Sequence, residues 1–119
     1  MNVEQHMAKA QRVLSSLSKL RFPEDYLAII DGAMVAGYHL GNALLHKSGV
    51  SDPDLHFNSP SKLGTPISDL PATLQPAFKA FAELERLRFE YVRNPSRHDP
   101  AVADLVKRNL DAMTHKSSM

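Results

Sequence analysis

Six histidines and seven arginines are the side chains of this 119-residue chain best suited to chemistry, and their spacing decides which chemistry to expect. Imidazole changes charge near neutral pH and is the commonest metal ligand. His39, Asn42 and His46 fall at i, i+3 and i+7, so on a helix they share one side. A metal centre needs a further carboxylate or histidine from another element. The sequence has no Glu-x-x-His pair of the kind that holds metals in helical bundles. Asp31, His56 or Glu83 could complete such a set only through the fold. The expectation from sequence is therefore no metal ligand and no cofactor, with His39 and His46 either capping loop polar groups or in a hydrogen-bonded polar patch beneath a long loop.

A second group lies in YVRNPSRHDP, Tyr91 to Pro100, where Arg93 and His98 either act as a pair or form the polar turn between two helices. Nucleophilic catalysis finds little support. There is no cysteine, and the serines at Ser15, Ser16, Ser18, Ser48, Ser51, Ser59 and Ser61 form no G-x-S-x-G elbow. Neither a Walker A stretch nor G-x-G-x-x-G is present. Glu83 and Glu85 point to different sides of a helix, and Glu85 is expected in solvent beside Arg86 and Arg88.

These groups must be positioned by helices, because apolar residues recur at helical spacing and nowhere alternate cleanly. The pattern predicts helices over 3–20, 23–47, 76–93 and from Asp99-Pro100 to Met113. Pro23, Pro76 and Pro100 suit first helical turns, and Gly49 is a stop signal. The stretch 50–73 reads as a long loop with a helical turn after Pro53, packed down by Leu55, Phe57, Leu63 and Ile67. The expected core contains Leu14, Leu17, Leu27, Ile30, Phe78, Phe81, Leu84, Leu105 and Val106. One domain over 1–119, an all-α antiparallel four-helix bundle, is the predicted fold.

Fourteen basic and thirteen acidic side chains give a formal charge of +1, which supplies no overall field for a polyanion. The last third is locally basic, with seven cationic against four acidic residues from Arg86 onward. The start has no export-signal pattern and no run is long enough to span a membrane, so a reducing, cytoplasmic setting is expected. The apolar second helix, PEDYLAIIDGAMVAGYHLGNALLHKSG, and the Phe- and Leu-rich third carry more apolar surface than one small core hides, which predicts a homodimer.

Taken together, YHLGNALLHKSGV, LERLRFEYVRN and the polar turn that follows resemble the HEPN-like helical bundles over residues 23 to 113. The resemblance implies a bundle of four or five helices that commonly dimerises. Catalytic members are metal-independent endoribonucleases with an Arg, a polar residue, and a His after four to six intervening positions; others are binding modules. Here RNPSRH supplies Arg93, Asn94 and His98, with Pro95 and Pro100 as departures from the pattern. Arg108 and His115 match the longer spacing but share a helix face with Asp104 and Asp111.

The expected function is a homodimeric interaction module taking an anionic ligand, a nucleotide or RNA, near the junction of the third and fourth helices. Asn94, Arg97 and Arg108 would contact that ligand. The alternative is a ribonuclease that uses the RNA's own 2′-hydroxyl, with His98 moving the proton and Arg93 holding the phosphate. Without a ligand, Arg93 is expected at the negative end of its helix and His98 exposed beside the Asp99 cap.

Overall fold

The computed structural model describes residues 1–51, 56–94 and 97–117. Four helices carry the chain: α1 (Val3–Leu17), α2 (Tyr26–Lys47), α3 (Gln75–Leu87) and α4 (Val102–Ser117). No strand occurs among the described residues. The all-helical bundle expected from periodicity is what forms. Among the described residues no helix is long and apolar enough to cross a membrane.

Local chemistry sets the helix ends. Asn2 caps α1 by accepting from the Gln5 backbone N–H while Gln5 returns a bond to the Asn2 N–H, which satisfies two donors that the first turn leaves open. The helix stops at Leu17, not Leu20; turns follow through Asp25, whose carboxylate accepts from the Arg21 N–H at 2.6 Å. As a result α2 begins at Tyr26, three residues later than periodicity suggested. Gly49 closes it with a φ of 77°, a conformation in which a side chain would be strained. Asp99 begins the last helix through a turn, its Oδ1 accepting from the Ala101 N–H.

α2 is apolar nearly all round and packs against α1, α3 and α4, which makes it the central element. Small residues permit this. A Cβ at Gly37 would stand 2.8 Å from Phe81 Cδ1, so α2 and α3 approach at a distance only glycine allows. Phe78, Phe81, Ile30, Leu84 and Val106 are fully buried, as expected. Leu14, Leu17 and Leu105 are half-buried against them. Leu27 is a correction: it is 42% exposed, because the buried stripe of α2 runs through Tyr26, Ile30, Ala33 and Gly37 and Leu27 lies one residue, about 100°, away from it.

Between α2 and α3 the chain packs down, as Leu63, Phe57 and Ile67 predicted. It contains two short 3₁₀ turns, Pro60–Lys62 and Ile67–Asp69. The helical turn expected after Pro53 and the packing of Leu55 lie outside the described residues. α3 does not run uniformly to Arg93. After Leu87 it widens into a π turn, Arg88–Val92, closed by Arg93 N–H donating to the Arg88 carbonyl at 3.1 Å.

Candidate metal centre

Four of the six histidines converge where α1 crosses the end of α2. His6 comes from α1, His39 and His46 from α2, and His56 from the segment after it. The ring of His6 is the hub, with centroids 5.3 Å from His39, 5.2 Å from His46 and 4.9 Å from His56. His46 and His56 are 5.2 Å apart. One ring nitrogen from each of His6, His46 and His56 lies within 4.8 Å of the other two, close enough for a single ion. Tyr38 covers this group, its ring 4.7 Å from His39 and 5.9 Å from His6.

Each element has a reason to deliver its side chain there. The capped first turn of α1 fixes His6, which heads the inward stripe of buried His6 and Ala10 and half-buried Val13 and Leu17. His39 and His46 occupy one side of α2, with Asn42 between them. Asn42 is 1% exposed and grips the incoming chain at both backbone groups of Phe57. Its Nδ2 donates to the Phe57 carbonyl at 2.9 Å, and its Oδ1 accepts from the Phe57 N–H at 3.0 Å. That clamp places the neighbouring His56 over the cluster.

The second nitrogen of each ring is engaged. His6 Nδ1 and His39 Nδ1 are 3.0 Å apart, so one donates and the other accepts. His46 Nδ1 lies 3.0 Å from Ser51 Oγ. His56 Nε2 donates to the Met1 carbonyl at 3.3 Å. His6 Nε2, in contrast, is fully buried with no hydrogen-bond partner, and a buried polar atom left in that state calls for an explanation.

Burial, and then repulsion from His56, His39 and His46, hold His6 down at about 4 from an ordinary 6.5. His39 is lowered as well, by burial first and then by Lys9 and His56. Both imidazoles are therefore neutral at pH 7, the form that ligates metals without first losing a proton.

The sequence alone led to an expectation of no metal ligands; among the described residues three histidines nevertheless stand close enough to share an ion. It was missed because α1 supplies His6 and a loop supplies His56, neither of which shares a local motif with His39 and His46. One signal was legible. His6 is the single polar position on the apolar stripe of its helix.

The other candidate residues fall elsewhere. His98 is exposed on the surface, but its Nδ1 is 2.6 Å from the hydroxyl of buried Tyr26. Arg93 lines a separate surface cavity with Lys62 and Arg88. No hydrogen bond, ion pair or ring contact joins Arg93 to His98 among the described residues. Arg97 folds back over the Tyr91 ring at 4.9 Å and reaches Glu90 at 3.5 Å. Asn94 and Arg108 are exposed. Glu85, expected in solvent, instead accepts from the Ser61 hydroxyl at 2.7 Å, while Arg86 pairs with Glu83 and Glu90.

No family model, no curated protein and no solved structure matches the chain.

Proposed function

We propose that this bundle is a transition-metal protein in which His6, His46 and His56 bind one divalent ion of the imidazole-preferring kind, with zinc the reference case. The observation that carries the reading is the buried Nε2 of His6, an atom with no hydrogen bond on a ring that burial keeps neutral, as it does its neighbour His39. Were that nitrogen protonated, the interior would hold an unmet N–H donor, which is rarer than an unmet acceptor. The lower-cost tautomer puts the proton on Nδ1, donating to His39, and leaves the Nε2 lone pair directed into the cluster.

The same logic extends round the site. Ser51 beside His46 Nδ1 and the Met1 carbonyl beside His56 Nε2 favour ligation through the opposite nitrogen of each ring. Holding the non-ligating nitrogen fixes tautomer and orientation, as partners outside the coordination sphere do in metal proteins. His39 and Ser51 are thus positioning residues. Tetrahedral zinc at about 2.0–2.1 Å from nitrogen needs ligand atoms roughly 3.4 Å apart. From a spread of 4.8 Å the rings need shift by no more than about 1 Å each.

Three histidines leave a fourth coordination position open, the pattern of sites that bind water or substrate at the metal rather than of closed structural sites. The nuclease alternative has less support, since no hydrogen bond, ion pair or ring contact joins Arg93 to His98 among the described residues and His98 Nδ1 is engaged by the Tyr26 hydroxyl.

The test is zinc titration of the purified chain against a chromophoric competitor. One equivalent bound at micromolar affinity or better is expected, with loss of at least about tenfold in His46→Ala and in His56→Ala. His56 lies on a half-buried segment, so that variant should keep the helical circular dichroism of the parent. Absence of saturable binding, or binding indifferent to both substitutions, overturns the reading.

A further inference from the structure

A second site lies where the 3₁₀ turn Pro60–Lys62 faces the end of α3. A cavity of about 410 Å³ opens there, walled by Lys62, Arg88, Arg93, Asn58 and the exposed ring of Phe89. The π turn creates it. Five residues on in a regular α-helix lie about 140° round the axis, so Arg88 and Arg93 would diverge. The wider turn closed by Arg93 N–H on the Arg88 carbonyl brings both guanidinium groups to one cavity.

Two of the three cations there, Lys62 and Arg93, form no ion pair with any described residue. Arg88 stands 3.2 Å from Asp31 through Nε, at an angle that makes an ion pair without a hydrogen bond, and its two Nη atoms make no hydrogen bond to a described residue. Glu85 is the acidic member of the wall. Its two oxygens are taken by the Ser61 N–H at 3.2 Å and hydroxyl at 2.7 Å, which ties it to the 3₁₀ turn. Phe89 at the rim is 69% exposed, the most exposed large apolar side chain described.

The geometry points to a binding site for a phosphate monoester carrying a flat apolar ring. Two guanidinium forks and an ammonium suit a doubly charged tetrahedral head that offers several acceptor oxygens, and Arg binds such groups bidentately. Phe89 offers a face on which the ring can stack. This inference does not depend on the metal, and it pairs Arg93 with Lys62 and Arg88 instead of His98.

Calorimetric titration in chelator with phenyl phosphate, inorganic phosphate and benzoate tests it. Phenyl phosphate should bind saturably and at least about tenfold more tightly than either fragment. Arg93→Ala and Lys62→Ala, which remove no described side-chain contact, should each weaken phenyl phosphate about tenfold or more, the effect of one lost charge-assisted hydrogen bond. Phe89→Ser should bring phenyl phosphate to the level of inorganic phosphate and leave inorganic phosphate unchanged. No saturable binding at millimolar phenyl phosphate, equal binding in both cation variants, or benzoate binding as well as phenyl phosphate would each overturn the assignment.

Discussion

Replacing Asn42 by Ala should cost far more than its small size suggests, because this one amide joins the loop to the centre of the bundle. Its Nδ2 donates to the Tyr38 carbonyl at 2.8 Å and to the Phe57 carbonyl at 2.9 Å, and its Oδ1 accepts from the Phe57 N–H at 3.0 Å. Tyr38 O keeps its bond within α2, so the loss falls on Phe57. A buried backbone group left unmet costs about 1–3 kcal/mol. Two such groups in a half-buried segment that water partly reaches bring the expected loss to about 2–4 kcal/mol. His56 follows Phe57 when the clamp opens, so zinc affinity should fall by about 10- to 100-fold. Urea unfolding of the metal-free protein gives the first quantity, and competitive zinc titration the second. Asn42→Asp keeps an acceptor for the Phe57 N–H but loses both donated bonds, and should also fall in stability and affinity. A change under about 0.5 kcal/mol in Asn42→Ala with unaltered zinc affinity would refute the clamp.

Three other outcomes follow from named contacts. His98→Ala should lower stability by about 1–2 kcal/mol by stripping the buried Tyr26 hydroxyl of its partner, whereas no loss on urea unfolding would mean the ring is held for another purpose. Gly37→Ala forces a Cβ to 2.8 Å from the Phe81 ring and should cost about 1–3 kcal/mol despite alanine's better helix propensity; an unchanged or raised melting temperature contradicts the close approach. In the metal-free protein His6 protonates near 4 when folded and near 6.5 when unfolded, so the unfolded chain takes up the proton first as pH falls. Stability should be full above pH 6.5 and decline toward pH 4 by up to ~3 kcal/mol, a slope that His6→Leu should flatten in urea titrations across that window.

Periodicity made the helices legible because burial of one stripe per helix leaves a repeating mark; Gly49 marked the end of α2, whereas Asp99-Pro100 marked a turn two residues ahead of the start of α4 at Val102. Two features left no such mark. The π turn after Leu87 keeps its apolar residues, Tyr91 and Val92, on positions that a regular α-helix would also bury, so nothing in the letters announces the extra residue per turn. The helix start at Tyr26 depends on the Asp25 carboxylate turning back to the Arg21 N–H, a local bond that competes with extending the helix to Pro23.

The histidine cluster was half legible for a similar reason. His39 and His46 share a face by spacing alone, but the path that returns His56 to them is fixed by Asn42 gripping Phe57, a contact between residues 15 apart that no period encodes. His6 could have been found as the polar break in the sequence His6, Ala10, Val13, Leu17. Arg93 and His98, close in sequence, are directed apart by their neighbours: one to the cavity of Lys62, the other to Tyr26.

X-ray absorption at the zinc edge of protein loaded with one equivalent tests the three-histidine centre most directly. The site predicts three imidazole nitrogens and one further light atom at about 2.0–2.1 Å, with the outer-shell scattering of imidazole rings, and loss of one ring's contribution in His46→Ala. A shell of oxygen ligands without ring scattering, or a spectrum unchanged by that substitution, would contradict it.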